Sequence, residues 1–123
     1  MILVDTSVWI DHLRASDETL AQLLRQGQVL AHPFVTGEIS MGNLKQRTEV
    51  LTALKQLPQA IIAHDNEVMQ LVEQHQLFGL GIGYIDAHLL ASSLLSAHTK
   101  LWTRDKRLLN VAEQLNLHIQ TRH

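Results

Sequence analysis

Met1-Ile2-Leu3-Val4-Asp5-Thr6-Ser7 decides how the rest of the chain is to be read. A short apolar run stops at a carboxylate, two hydroxyls follow, and Val8-Trp9-Ile10 restarts an apolar pattern. Residues 2–4 have no polar face to show water, the mark of a strand buried on both sides. Thr6 or Ser7 suits the cap of a helix that starts near Val8. Asp5 then stands at the carboxyl end of a strand, the edge where open α/β sheets bind their ligands. An aspartate is equally at home there as a turn or cap residue.

Outward from this stretch, helix and strand signals alternate, the pattern of βαβ units and a parallel sheet. A first helix over 8–14 is followed by a second starting at Ser16-Asp17-Glu18, with Leu20, Leu23 and Leu24 at helical spacing and Gly27 placed to end it. Val29-Leu30-Ala31 reads as strand two. Pro33 suits the first turn of a helix carrying Phe34, Val35, Glu38, Ile39 and Met41, and residues 46–57 form another, stopped by Pro58. Residues 60–63 read as strand three, Asp65 caps a helix, and 78–83 is a glycine-rich connector. A long apolar helix spans 84–97, 101–103 is strand four, Leu108 to Leu115 mark a last helix, and 118–120 is a weak fifth strand. There is no internal repeat, so residues 1–123 read as a single doubly wound domain.

Composition narrows the chemistry. Apolar residues make up 46% of the chain, enough for a packed core. No run approaches the ~20 residues of a membrane span, and no basic segment precedes the short first apolar run as in a secretion signal. With no cysteine, disulfides and thiolate zinc sites are excluded and a cytoplasmic address is expected. Net charge is −2, which by itself does not announce nucleic acid. Setting aside four acids that cluster at a site leaves 10 basic residues against 8 acidic, a mildly basic remainder.

Those four acids are Asp5, Glu38, Asp86 and Asp105. Glu38 shares a helical face with Phe34, Val35 and Met41, where an uncompensated charge is costly unless the segment bends it to solvent. Asp86 opens a helix apolar nearly all round, hence a buried one; the helix N-terminus tolerates it without requiring it. Asp105 repeats the strand-to-helix position of Asp5. Each acid alone has an ordinary structural explanation. Together, with no matching buried base, they repel one another unless hard cations neutralise them, and oxygen-only ligation suits Mg²⁺ or Mn²⁺. Such a site activates water and polarises a phosphoryl oxygen, which phosphodiester hydrolysis needs.

Leu3-Val-Asp5-Thr-Ser7, Val35-Thr-Gly-Glu38-Ile-Ser40, Gly83-Tyr-Ile-Asp86-Ala-His-Leu-Leu-Ala91 and Leu101-Trp-Thr-Arg-Asp105-Lys-Arg-Leu108 resemble PIN-domain ribonucleases, and within them the VapC toxins of bacterial toxin–antitoxin pairs. The likeness covers nearly the whole chain, with the acids in family order. It implies a five-stranded parallel sheet in the order 3-2-1-4-5 with helices on both faces, which would bring Asp5 and Asp105 together at the switch point. It implies that Asp5, Glu38, Asp86 and Asp105 are the catalytic, metal-binding acids, with Thr103 and Thr6 supporting them through hydroxyls. It also implies an RNA substrate, Mg²⁺ or Mn²⁺, a homodimer, and a small VapB-like antitoxin, within a larger toxin–antitoxin complex.

Arg104, Lys106 and Arg107 beside Asp105, with Lys45 and Arg47 after Glu38, are candidates for holding RNA phosphates, or else a solvated helix start. The eight histidines show no metal-ligand spacing and read as structural or surface residues. Trp9 and Leu13 are core, or an apolar patch gripping a partner. A haloacid-dehalogenase-like phosphatase would need an acid where Ser7 stands, and a receiver domain an early acid pair that is missing. The remaining alternative is a PIN-fold RNA-binding module or housekeeping nuclease unpaired with an antitoxin.

Overall fold

The computed structural model describes residues 1–119, a mix of helices and parallel strands as the sequence pattern expects, but with four helices in succession in the middle of the chain. In chain order they are β1 (Ile2–Val4), α1 (Thr6–Arg14), α2 (Glu18–Arg25), β2 (Val29–Leu30), α3 (Pro33–Ser40), α4 (Arg47–Gln56), α5 (Asp65–Gln74), α6 (Tyr84–Leu95), β3 (Lys100–Trp102) and α7 (Lys106–Gln114). β1 is central and parallel to both neighbours. It pairs Ile2 with Val29 and Leu3 with Leu30 on one side, and Leu3 with Leu101 and Val4 with Trp102 on the other. Leu3, Val4 and Leu101 have no exposed surface, as expected of a strand covered on both faces. They belong to one contiguous core that also takes in Val8, Leu20, Ile39, Val68, Leu89, Leu90 and Leu108.

Among the described residues the sheet has three strands, in the order β2-β1-β3, where the sequence reading expects five. Residues 60–63 and 118–120 were the expected outer strands. The first contributes a single parallel bridge, Gln59 to Ala31, made by Ala31 N–H to Pro58 O and Ala60 N–H to Ala31 O, both 2.8 Å. The ladder ends there because β2 runs straight into α3 at Pro33, which has no N–H to extend it. Ile61 instead donates its N–H to Ser96 Oγ at the end of α6. On the other edge His118 bridges Leu101 alone, because the chain after Trp102 leaves the sheet plane for the loop before α7; Gln120 lies outside the described residues.

Local chemistry places the helix ends. Gly27, at φ +66°, closes α2 in the left-handed conformation that costs glycine least. Pro33 sits at the first position of α3. α1 begins at Thr6, two residues earlier than the apolar pattern suggests, so Asp5 and not Thr6 or Ser7 occupies its cap position. α6 is buried from Ala87 to Ser93, and ends at Leu95 rather than 97. No helix among the described residues is long and apolar enough to cross a membrane.

Candidate active site

The carboxyl ends of β1 and β3 deliver Asp5 and Thr103 side by side, with Asp5 N–H bonded to Trp102 O at 2.9 Å. Asp5 occupies the cap position of α1 but its side chain makes no cap bond. Its Oδ2 accepts instead from Ser7 Oγ and from Thr103 Oγ1, each at 2.8 Å. The residue is 6% exposed, so these two donors are what satisfies it. Both hydroxyls are themselves positioned by backbone: Arg104 N–H donates to Ser7 Oγ at 3.0 Å and Asp105 N–H to Thr103 Oγ1 at 3.1 Å. The loop after β3 is thereby stitched to the first turn of α1.

The other three acids follow the same plan by different means. Glu38 stands on the solvent side of α3 with Phe34 and Met41, while Val35 and Ile39 of the same helix are buried. The helix thus resolves its mixed face by turning the charge outward, and Glu38 Oε1 accepts from Thr6 Oγ1 at 2.7 Å. Asp86, in the first turn of α6, accepts Gly83 N–H on Oδ2 at 3.1 Å. Asp105 does cap its helix, Oδ1 accepting from Arg107 N–H at 3.0 Å and Leu108 N–H at 3.1 Å. Each of the four carboxylates therefore has one oxygen held by this chain, and the other oxygen has no hydrogen-bond donor among the described residues.

Burial first, and then the charges of Asp5, Asp105 and Glu38, push the Asp86 carboxyl above its ordinary value, partly opposed by the Gly83 N–H. All four carboxylates thus share one electrostatic environment. No three acidic or histidine side chains among the described residues stand in a ready-made ligand cluster. The donor set is nonetheless of one kind: four carboxylates with an oxygen free, three hydroxyls behind them, and no thiolate or imidazole among them. Such a set fits a hard divalent cation of the Mg²⁺ or Mn²⁺ class and no softer one.

Of the basic residues proposed around the site, Arg104 is already engaged. Its guanidinium bonds Asp11 Oδ2 at 2.7 Å and the Asp17 carboxylate, and it lies 5.7 Å from the Trp102 ring centroid. It serves as a brace between α1, the start of α2 and the loop after β3. Lys106, Arg107 and Lys45 are exposed. The Arg107 side chain runs close over Gly81, at φ +81°, where a Cβ would come within 2.7 Å of its Cδ. That glycine lets the connector pass beneath the arginine. Arg47 bends back to Gly42 O.

Thr6 and Ser7 divide the supporting role that the sequence reading places at this turn: Ser7 holds Asp5 directly, whereas Thr6 serves Glu38. Side-chain direction on a helix separates adjacent residues by about 100°, which would have told the two hydroxyls apart. Asp65 was expected to cap α5, but His64 takes that position. The Asp65 carboxylate instead accepts from Tyr84 Oη at 3.0 Å and pairs with His88 Nε2 at 3.2 Å. Of the histidines, His32 and His88 are buried, and Trp9 is core rather than patch, at 5% exposure.

A family model described as PIN domain matches residues 2–114. Two curated proteins named Ribonuclease VapC32, from Mycobacterium tuberculosis strains CDC 1551 / Oshkosh and ATCC 25618 / H37Rv, are each 49% identical to this chain over 108 residues. The match covers 88% of this chain and 87% of each relative.

Proposed function

The chain belongs to the PIN-domain family, among its VapC-like members, and from that premise we propose that it is a metal-dependent endoribonuclease hydrolysing RNA phosphodiester bonds. The observation that carries this reading is the half-held state of the four carboxylates: Asp5, Glu38, Asp86 and Asp105 each keep one oxygen fixed and one free. The likeness to proteins named ribonucleases supports RNA as the substrate.

When bound, Mg²⁺ or Mn²⁺ supplies charge neutralisation at the phosphoryl oxygen and a nucleophilic water at neutral pH. The chain's own residues do the positioning. Ser7 and Thr103 fix the Asp5 carboxylate from behind, Thr6 fixes Glu38, and the start of α7 fixes Asp105. Four anions that feel one another's charge repel a phosphate as well, so Lys106, Arg107 and Lys45 serve to draw the RNA backbone in. Arg104, with its two acid partners, contributes to this only through the brace.

The VapC likeness supports a toxin whose activity is restrained by a small VapB-like antitoxin, a homodimeric single domain over 1–123, and action in the cytoplasm. The test is direct. Purified protein should cleave RNA in Mg²⁺ or Mn²⁺ and stop on addition of EDTA, and Asp5→Asn should lose about 100-fold or more in rate, since even residues behind a metal ligand cost 10–100-fold. Cleavage at the native rate by both Asp5→Asn and Asp86→Asn would overturn the mechanism.

A further inference from the structure

The burial of α6 begins at Ala87, so its first turn, which carries Asp86, stands outside the core. Little ahead of it in the chain secures that turn. Among the described residues, 78–82 enter no backbone–backbone hydrogen bond, and Gly79 and Gly81 sit at positive φ, +74° and +81°. Gly83, at the cap position, has no side chain to accept the free N–H groups of the first turn. A helix start of this kind frays unless another part of the fold ties it down.

The tie comes from α5. Tyr84 Oη donates to Asp65 Oδ1 at 3.0 Å, and His88 Nε2 donates to the same oxygen at 3.2 Å. Tyr84 and His88 stand two residues before and two residues after Asp86, one helical turn apart, so a single acceptor reaches both. Asp65 is a firm anchor, because the start of α5 is closed by His64 N–H to Glu67 Oε1 at 2.8 Å and Val68 one turn on is fully buried.

Packing alone does not account for the imidazole. His88 is 2% exposed, and its Nδ1 is buried with no partner among the described residues. Phe34 and Tyr84 meet the ring at 4.9 and 4.8 Å between centroids, contacts that a phenyl ring would make as well. An unpaired buried nitrogen costs stability that an apolar ring of similar shape would not lose. What the imidazole adds is the bond from Nε2 to Asp65.

We propose that Asp65 is a positioning residue for the nuclease centre: by accepting Tyr84 and His88 on one oxygen it clamps the first turn of α6 and keeps the Asp86 carboxylate in place. This rests on the nuclease reading above and adds to it a residue that lies on another helix from every one of the four acids. Partners that orient a metal ligand in this way act on metal affinity and rate more than on folding. The Asp65 side chain is itself largely in water, at 83% exposure, so its bonds add little to stability.

The experiment follows the Gly83 amide by hydrogen exchange in the metal-free protein, Mn²⁺ binding by calorimetry, thermal melting, and RNA cleavage in Mg²⁺. In Asp65→Ala the Gly83 amide, which donates to Asp86, should exchange several-fold faster while Tm stays near native. Mn²⁺ affinity and kcat should each fall about tenfold, with KM for RNA little changed. Asp65→Asn keeps an acceptor oxygen and should restore all three. His88→Phe should lose kcat while melting at least as high as native, a split that a residue serving only the fold does not show. Native Gly83 exchange and native Mn²⁺ affinity in Asp65→Ala would overturn the clamp and leave the nuclease intact. So would a fall in Tm that runs parallel with the loss of kcat in both Asp65→Ala and His88→Phe, the mark of a general loosening. If the native protein cleaves nothing, yet Asp65→Ala still frees the Gly83 amide and Asp65→Asn restores it, the nuclease reading fails and the clamp on Asp86 stands.

Discussion

A carboxylate with one oxygen held, by hydroxyls at Asp5 and Glu38 and by backbone N–H at Asp86 and Asp105, and the other left free is the recurring unit of this site. Its consequences are measurable one residue at a time. Thr103→Val keeps the shape of the side chain and removes the donor to Asp5, so it should cost about 10–100-fold in cleavage with the fold intact by circular dichroism. Ser7→Ala should act in the same direction. Asp86 gives the opposite pairing of stability and activity. Its carboxyl sits above the ordinary 3.8, raised first by burial and then by the other acids, so the folded state holds that proton to higher pH than the unfolded chain does. Stability is therefore lost as pH rises from about 3.8 through the raised value. At neutral pH the metal-free Asp86→Asn protein should melt higher than the native one, the gap closing on acidification, while Mg²⁺ should raise the melting temperature of the native protein more than that of the variant. A variant that melts lower than native at pH 7 would show that Asp86 is not under this repulsion.

The loop between β3 and α7 carries Thr103 and Asp105, and Arg104 between them braces that loop to α1 and α2 through Asp11 and Asp17. With the guanidinium only about a third exposed, Arg104→Ala should lose about 1–2 kcal/mol in urea unfolding. An Arg104/Asp17 double-mutant cycle should show coupling, whereas Lys106→Ala should weaken RNA binding and reduce its salt dependence without touching stability. The sequence pattern makes Arg104 look like its neighbours Lys106 and Arg107, three cations at a helix start. Its partners lie 93 and 87 residues away, and no local rule brings them forward. Where local chemistry decides, the elements were legible: Pro33 starting α3, Gly27 ending α2, and the apolar runs of β1 and α6. The strands expected at 60–63 and 118–120 were not, because a strand exists only if its neighbour continues beside it. β2 turns to helix at Pro33 before that happens.

Across the whole molecule, the carboxyl edge of the sheet collects titrating groups as well as acids. His32, at the end of β2, accepts Phe34 N–H on Nδ1 and meets Ser92 Oγ with Nε2, and burial, then the nearby His88, lowers it from 6.5 to about 4. The folded chain thus refuses a proton that the unfolded chain takes up, so stability falls as pH drops from 6.5 towards about 4. Urea melts between pH 7 and 4.5 should show a shallower loss for His32→Asn than for the native protein. The difference should be at most about 1.4 kcal/mol per pH unit, one proton's share. The four acids could be picked out of the sequence only as a set, since each alone has an ordinary structural explanation. How they are held has no local signature, because Thr103 reaches Asp5 across 98 residues and Thr6 reaches Glu38 across 32, and only the family resemblance named the two threonines as supports. That separation has a bearing on how such a protein is made. At about 5–20 residues per second, a ribosome needs roughly 5–20 s to travel from Asp5 to Thr103. Throughout that interval the nascent chain carries its first carboxylate while both the Thr103 hydroxyl and Asp105 are still unmade, so a prematurely released fragment lacks one of the four acids and part of the hold on another.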